Sequence, residues 1–300
     1  MSIEASGPSG GAVVVPPLLP AIYEPVLRRG LAEDLGRAGD LTSDALVPPD
    51  HASTGHLVAR AEGRCCGVEI AAAAFRLLDP SAVSRILVAD GRDVAPGTVL
   101  ARVSGATRPL LGAERVALNL LGRLCGIATA TRDLVRAVAG TGARVVCTRK
   151  TTPGLRALEK HAVRAGGGAN HRFGLDDAVL VKDNHLAVAG SIGSAVRRAR
   201  EAVGHWVHVA VEVDSLDQLA AALDAGADAV LLDNMSLADL TTAVARCRGR
   251  ALTEASGGIT PGSIAAVAAT GVDLISVGWL THSAPALDVG FDLQAGGPGA

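Results

Sequence analysis

Between Thr148 and His185 the chain reads TRKTTPGLRALEKHAVRAGGGANHRFGLDDAVLVKDNH. This stretch gathers Arg149, Lys150, Arg156, Lys160, Arg164, Arg172 and Lys182 around Gly166 to Gly168, in a protein of formal net charge -2. So local an excess of cation needs an anion. Several of these groups fall where strands are predicted to end, which points to a small, multiply anionic ligand held in a pocket. Glu212 and Asp233 fall at comparable positions. Each can pair with Lys150 or Lys182 as a structural ion pair. Together they can stabilise a developing cationic sugar or assist a phosphate-bound divalent metal. Ser256, Gly257 and Gly258 can bring backbone N–H groups to a phosphate with no Cβ in the way, and Gly278 lies in the following unit. A lone Ser-Gly-Gly is commonly just a turn, and the pairing with Gly278 favours the phosphate reading. His171, beside Arg172, suits an anion donor, whereas His185 reads as a structural histidine. Lys182 fits an ammonium that neutralises a carboxylate, with a Schiff-base lysine as the alternative. Arg156, Lys160 and Arg164 fall on a helix, where a solvated face is the default. Cys65 and Cys66 have no acid or base beside them in sequence and read as packing.

Parallel βα units are predicted to position these groups. From about residue 144 onward, short β-branched runs alternate with Ala-rich helical stretches. The predicted strands are Arg144 to Cys147, Ala178 to Lys182, His208 to Val213, Asp228 to Leu232, Ala251 to Thr253 and Asp273 to Val277. Ser215 reads as an N-cap, and Gly226 and Gly271 as helix stops. Six such units predict a barrel, with a doubly wound open sheet as the competitor. Strand ends of a barrel open on one face, so distant residues converge there. Residues 25–115 instead show strand-like alternation with one helix around Ala71 to Leu78, an α+β pattern and a separate domain. The junction is placed at a helix beginning near Gly112, with no turn signal before Gly122.

The expected organisation is therefore a disordered tail over 1–20, an N-terminal α/β domain over 21–117 with 285–300 packing on it, and an α/β barrel over 118–284. Mean hydropathy is +0.33, but the most apolar stretch, Ser263 to Leu280, carries Asp273 and Gly271, so no membrane span is expected. The N-terminus lacks a basic region before its aliphatics, which predicts a cytoplasmic protein. Five cysteines without a CxxC pair read as free thiols, and zinc is not expected. With aromatics at 2%, nucleic acid is a poor partner.

The motifs EDLGRAGDLTSDAL, AERVALNLLGRLCGIATATR, the TRKTTPGLRALEKHAVRAGGGANHRFGL block, VKDNH, VEVDS, LLDN, EASGGI and VGWLTHS resemble the quinolinate phosphoribosyltransferase family through most of the chain. The resemblance implies an N-terminal α/β (α+β) sandwich domain followed by an incomplete α/β barrel of the type II phosphoribosyltransferase kind. It implies a pentosyltransferase that moves phosphoribose from phosphoribosyl pyrophosphate (PRPP) to quinolinate with decarboxylation, giving nicotinate mononucleotide for NAD synthesis. Arg149, His171, Arg172 and Lys182 would hold the quinolinate carboxylates, with Arg115 supplied across a homodimer interface. Lys150, Glu212 and Asp233 would address the ribose, the pyrophosphate and its Mg2+, the two acids meeting the metal only through PRPP. Ser256, Gly257, Gly258, Gly278 and His282 would bind the 5′-phosphate. No organic cofactor is expected, because the pyridinium ring is its own electron sink. Two departures stand out: Cys147 where the family usually has Asp, and His161 where an aromatic is common. Two other readings compete: a paralogous transferase with a different acceptor, and a non-catalytic anion-binding protein. The full set of Arg115, Arg149, Arg172 and Lys182 disfavours the first, and the acids Glu212 and Asp233 disfavour the second.

Overall fold

The structure, a computed structural model, describes residues 14–295. Most of the tail expected over 1–20 therefore lies outside the described residues, and a helix begins at Pro20. The first half of the chain runs α1 (Pro20–Leu35), α2 (Leu41–Leu46), β1 (Ala52–Ala59), β2 (Gly63–Arg64), α3 (Val68–Leu78), β3 (Val83–Ile86), β4 (Asp93–Val94), β5 (Val99–Ala106) and α4 (Thr107–Ala137). It continues with β6 (Arg144–Val146), α5 (Arg156–Ala165), β7 (Val179–Val181), α6 (Asp183–Ala189), α7 (Ile192–Ala202), β8 (Val209–Val213) and α8 (Leu216–Asp224). The last part is β9 (Ala229–Asp233), α9 (Leu237–Cys247), β10 (Leu252–Ser256), α10 (Ile264–Ala269), β11 (Leu274–Ser276), α11 (Trp279–His282) and β12 (Val289–Ala295). Among the described residues no helix is long and apolar enough to cross a membrane.

Two compact units result. The first holds residues 14–132, 151–167 and 280–295. Its four-stranded antiparallel sheet has the order β12-β1-β5-β3, so the C-terminal strand pairs with the first strand along Ser53 to Ala59. Alternation of small and aliphatic residues in β1 and β5 buries Leu57, Leu100 and Val103, and α3 adds a fully buried Phe75. Helix α4 begins at Thr107, five residues before the predicted Gly112, and continues through Gly122 and Gly126. Those glycines are close-approach positions, not stops. A Cβ at Gly126 would lie 2.0 Å from the Pro285 carbonyl oxygen, and one at Gly122 would lie 2.9 Å from that of Leu287.

The second unit holds residues 133–150 and 168–279. Its six strands are all parallel, in the order β6-β11-β10-β9-β8-β7, an incomplete barrel in which the chain neighbours β6 and β7 form the two ends. Strand order advances around the sheet without a switch point, which rules out the doubly wound competitor. Val209, Val211, Val230 and Leu232 are wholly buried on one face. Serine caps start three of the surrounding helices: Ser191, Ser215 and Ser236 accept from the backbone N–H of Ser194, Gln218 and Asp239. The caps Ser215 and Ser236 each follow a strand-end acid by three residues (Glu212 and Asp233), so each cap fixes the turn that leaves the acid at the strand mouth. Strand boundaries differ from expectation by at most one residue with one exception: β10 extends to Ser256, not Thr253, because it pairs with β9 through Ser256 and Asp233.

Candidate active site

Ladder register decides which side chains share a face. Glu212 pairs with Leu231, and Leu231 pairs with Glu254. Paired residues in a parallel ladder project to the same side, as do residues two apart, so Glu212, Glu254, Asp233 and Ser256 share one face of the sheet. Lys182 follows Val181, whose partner is Val211, and its Nζ forms an ion pair with Glu212 Oε2. The structural reading of Glu212 thus holds in this arrangement. Asp233 has a different neighbour: its Oδ2 accepts from Asn234 Nδ2 at 2.9 Å.

The Asn234 turn is what shapes the Ser-Gly-Gly loop. Asn234 itself has φ of 54°, and its N–H donates to the Ser256 carbonyl at 2.9 Å. Gly257 has φ of 95°, and a Cβ there would lie 2.2 Å from Asn234 Oδ1, so only glycine fits. At Gly258, with φ of 58°, a Cβ would meet nothing within 4 Å, which leaves the loop's backbone open on that side. Trp279 closes the neighbouring turn by donating from Nε1 to the Ile259 carbonyl at 3.2 Å.

The cations flank the two end strands of the sheet, β6 and β7. Ala169 bridges to Val146 in parallel, and its N–H donates to the Val145 carbonyl at 2.8 Å, so the segment after the triple glycine runs beside β6. Cys147 is buried and its thiol donates weakly to Asn170 Oδ1 at 3.4 Å, in place of the charged partner that an Asp would offer Arg149. Arg172 donates from Nη1 to the Ala178 carbonyl at 2.8 Å, while its buried Nε has no hydrogen-bond partner among the described residues. Burial, and next the positive charge of Arg149, push the Arg172 guanidinium below its ordinary pKa, against the pull of Asp177. Two guanidinium groups near enough to repel create a positive region that an anion would relieve.

Glu254 is the residue that sequence reasoning left out. Burial pushes its carboxyl up to about 7, Glu212 adds to the rise, and Ser276 and Lys182 oppose it. His171 Nε2 lies 3.4 Å from its Oε1. The signal was available in EASGGI, where Glu254 stands two residues before Ser256 and so must share its face.

The other expected residues fall as follows. Lys150 is exposed at the end of the turn after β6, where its N–H donates to Thr148 Oγ1 at 3.0 Å. Gly278 directly precedes α11. His185 is structural: its Nδ1 accepts the Lys182 N–H at 3.0 Å. Arg115 and His282 belong to the first unit. Arg115 lines a cleft there with Glu33, Asp34 and Asn119, and exposed His282 contacts Ser283 Oγ at 2.6 Å. The helix-face expectation needs correction at Lys160, which is 1% exposed, although Arg164 is exposed as expected. Neighbouring Glu159 and His161 are buried with it, because α5 is packed on more sides than its charge pattern suggests.

One trio in the first unit, Cys66, Asp90 and His161, is the sole group of three metal-capable side chains among the described residues. Its members already satisfy each other. Asp90 Oδ2 meets His161 Nε2 at 2.8 Å and the Cys66 thiol at 3.7 Å, and Oδ1 accepts the Gly67 N–H at 2.9 Å. All five cysteines are buried free thiols.

Known proteins share this sequence and fold. Residues 40–125 match the quinolinate phosphoribosyl transferase N-terminal domain, and residues 127–292 match the C-terminal domain of that family. The probable nicotinate-nucleotide pyrophosphorylase [carboxylating] of Bacillus subtilis is 44% identical over 268 residues, covering 89% of this chain and 92% of that relative. The nicotinate-nucleotide pyrophosphorylase [carboxylating] of Mycobacterium leprae is 46% identical over 272 residues, covering 89% and 95%. The solved nicotinate-nucleotide pyrophosphorylase from Francisella tularensis superposes with a TM-score of 0.89 at 39% identity, over 93% of this chain and 98% of that one.

Proposed function

The chain belongs to the quinolinate phosphoribosyl transferase family, and from that premise we propose that it transfers phosphoribose from PRPP to quinolinate with loss of CO2. The observation that carries this reading is the pair of mutually repelling guanidiniums, Arg149 and Arg172, with a buried Arg172 Nε lacking a hydrogen-bond partner. A pyridine bearing two adjacent carboxylates relieves that repulsion, and a guanidinium fork matches a carboxylate edge. Lys182 adds a third cation, and a substrate carboxylate would draw its ammonium from Glu212.

Arg149, His171, Arg172 and Lys182 hold the acceptor with its ring nitrogen toward C1′ of the ribose. The nitrogen's lone pair forms the new C–N bond as the C1′–O bond to pyrophosphate breaks. Positive charge grows on the sugar, and Glu212 or Asp233 beside it favours that state over the ground state. The C2–carboxylate bond then releases CO2, its electron pair held next to the pyridinium nitrogen until C2 takes a proton. Lys150 offsets charge on the departing pyrophosphate. Ser256 and the Gly257, Gly258 and Gly278 backbones, with His282, hold the 5′-phosphate. Glu212 and Asp233 belong to no trio of metal-capable groups among the described residues. Two hard oxygen donors without a full cage fit Mg2+ that would arrive on PRPP, and the ion would offset charge on the pyrophosphate. Five buried thiols suit a reducing compartment, the cytoplasm.

Purified protein with Mg2+, PRPP and quinolinate should release CO2 and form nicotinate mononucleotide. Turnover of nicotinate in place of quinolinate would overturn the acceptor assignment. We also assign a homodimer in which Arg115 serves the partner's site. Mixing an Arg115→Ala protein with a Glu212→Ala protein should then restore part of the activity, and no recovery despite subunit exchange would refute the sharing.

A further inference from the structure

We propose that Glu254 is a positioning residue for acceptor binding: its carboxyl oxygen accepts a hydrogen bond from His171 Nε2–H and so fixes the tautomer and orientation of that imidazole beside Arg172. The inference rests on the assignment of His171 and Arg172 to the acceptor. Tautomer logic comes first. His171 Nδ1 accepts the backbone N–H of Arg172 at 2.8 Å. A ring nitrogen that accepts carries no proton, so the neutral ring holds its proton on Nε2. That atom lies 3.4 Å from Glu254 Oε1.

The carboxylate side of the contact needs it equally. Glu254 is 7% exposed, and its Oε1 is buried with no hydrogen-bond partner within normal distance among the described residues. An acceptor left so is costly, because it has given up water without a replacement donor. A contact of 3.4 Å exceeds a good N–H···O bond by about 0.4–0.5 Å. Placement in a strand makes Glu254 a rigid post, whereas His171 sits in the irregular segment after the triple glycine. Without the post, the imidazole loses its contact at Nε2, and the Arg172 backbone that bonds its other nitrogen loses its register.

The test pairs kinetics with a spectroscopic signature on the full chain. Glu254→Gln keeps an acceptor oxygen at the same place, and Glu254→Leu removes it. The first should leave KM for quinolinate within about 3-fold of wild type, and the second should raise it about 10-fold, the worth of one buried hydrogen bond. KM for PRPP should stay constant in both. Nitrogen-15 NMR of the histidine rings, with His171 assigned by its loss in His171→Asn, should show the Nε2-protonated tautomer in wild type and Glu254→Gln, and a mixture in Glu254→Leu. A wild-type His171 protonated on Nδ1, an unchanged quinolinate KM in Glu254→Leu, or equal rises in both KM values would each overturn the proposal. If wild type fails to turn over quinolinate at all, the functional reading falls, yet the wild-type NMR spectrum still decides whether Glu254 accepts that hydrogen bond.

Discussion

The polar cluster around α5 and the strand-end cluster of the parallel sheet differ in burial and in how completely they satisfy themselves. Glu159, 0% exposed, takes Arg123 on Oε1 at 2.8 Å and the Thr152 N–H on Oε2 at 3.0 Å. Arg123 reaches on to the Thr281 carbonyl, and His161 is matched by Asp90. At the strand ends, Arg172 Nε and Glu254 Oε1 are left without hydrogen-bond partners, and Arg149 repels Arg172. Folding alone would select the first arrangement, since partly satisfied buried polar groups cost stability. The second persists where a ligand completes it. On the proposed reading, the incompletely paired groups Arg172 and Glu254 mark the strand-end cluster as the ligand site.

The contrast breaks first if stability and activity fail to divide between the clusters. Glu159→Ala strands the Arg123 guanidinium and should cost about 3–5 kcal/mol of folding stability, as loss of one partner of a buried pair does. A denaturation midpoint equal to wild type would show the α5 cluster to be incidental. Arg172→Ala should do the opposite. It removes a repulsive charge, so thermal stability should change little, while kcat/KM for quinolinate falls by a transition-state loss of about 2–5 kcal/mol. A large drop in melting temperature with intact kinetics would place Arg172 in the wrong category.

A smaller effect, in pH, sharpens the same comparison. The folded carboxyl of Glu254 sits at about 7, above its ordinary value of 4.5, so the native state holds a proton that the unfolded chain has released between these values. Its contribution to stability is fully present below about 4.5 and is lost as pH rises through about 7. Melting temperatures at pH 5 and pH 8 should therefore diverge more in wild type than in Glu254→Gln, by a stability difference on the order of 2–4 kcal/mol. Equal divergence in the two proteins would mean that Glu254 titrates normally.

Much of this architecture was legible in the residues. Alternating β-branched and Ala-rich runs gave six parallel strands, and Ser215 capped its helix as read, because both signals are local. Boundaries that depend on distant partners were not legible. Gly122 read as a turn signal, but it and Gly126 admit the backbone of Pro285 to Leu287. The predicted fifth strand stopped at Thr253, since Glu254 and Ser256 are poor strand formers, and pairing with β9 overrides that preference. Ending the strand early is what hid Glu254, whose importance comes from sharing a face with Glu212 and Asp233. Lys160 was misread for the same reason: a charged residue on a helix is solvated by default, and only tertiary packing reverses it. The motifs identified the family without requiring any of these details.

Calorimetric titration of wild type and Arg172→Ala with quinolinate and with nicotinate tests the central claim most directly. Completion of the strand-end cations by a dicarboxylate predicts that wild type binds quinolinate at least about 10-fold more tightly than the monocarboxylate, and that the preference disappears in Arg172→Ala. Equal affinity for the two acids in wild type, or a preference that survives the substitution, would contradict it.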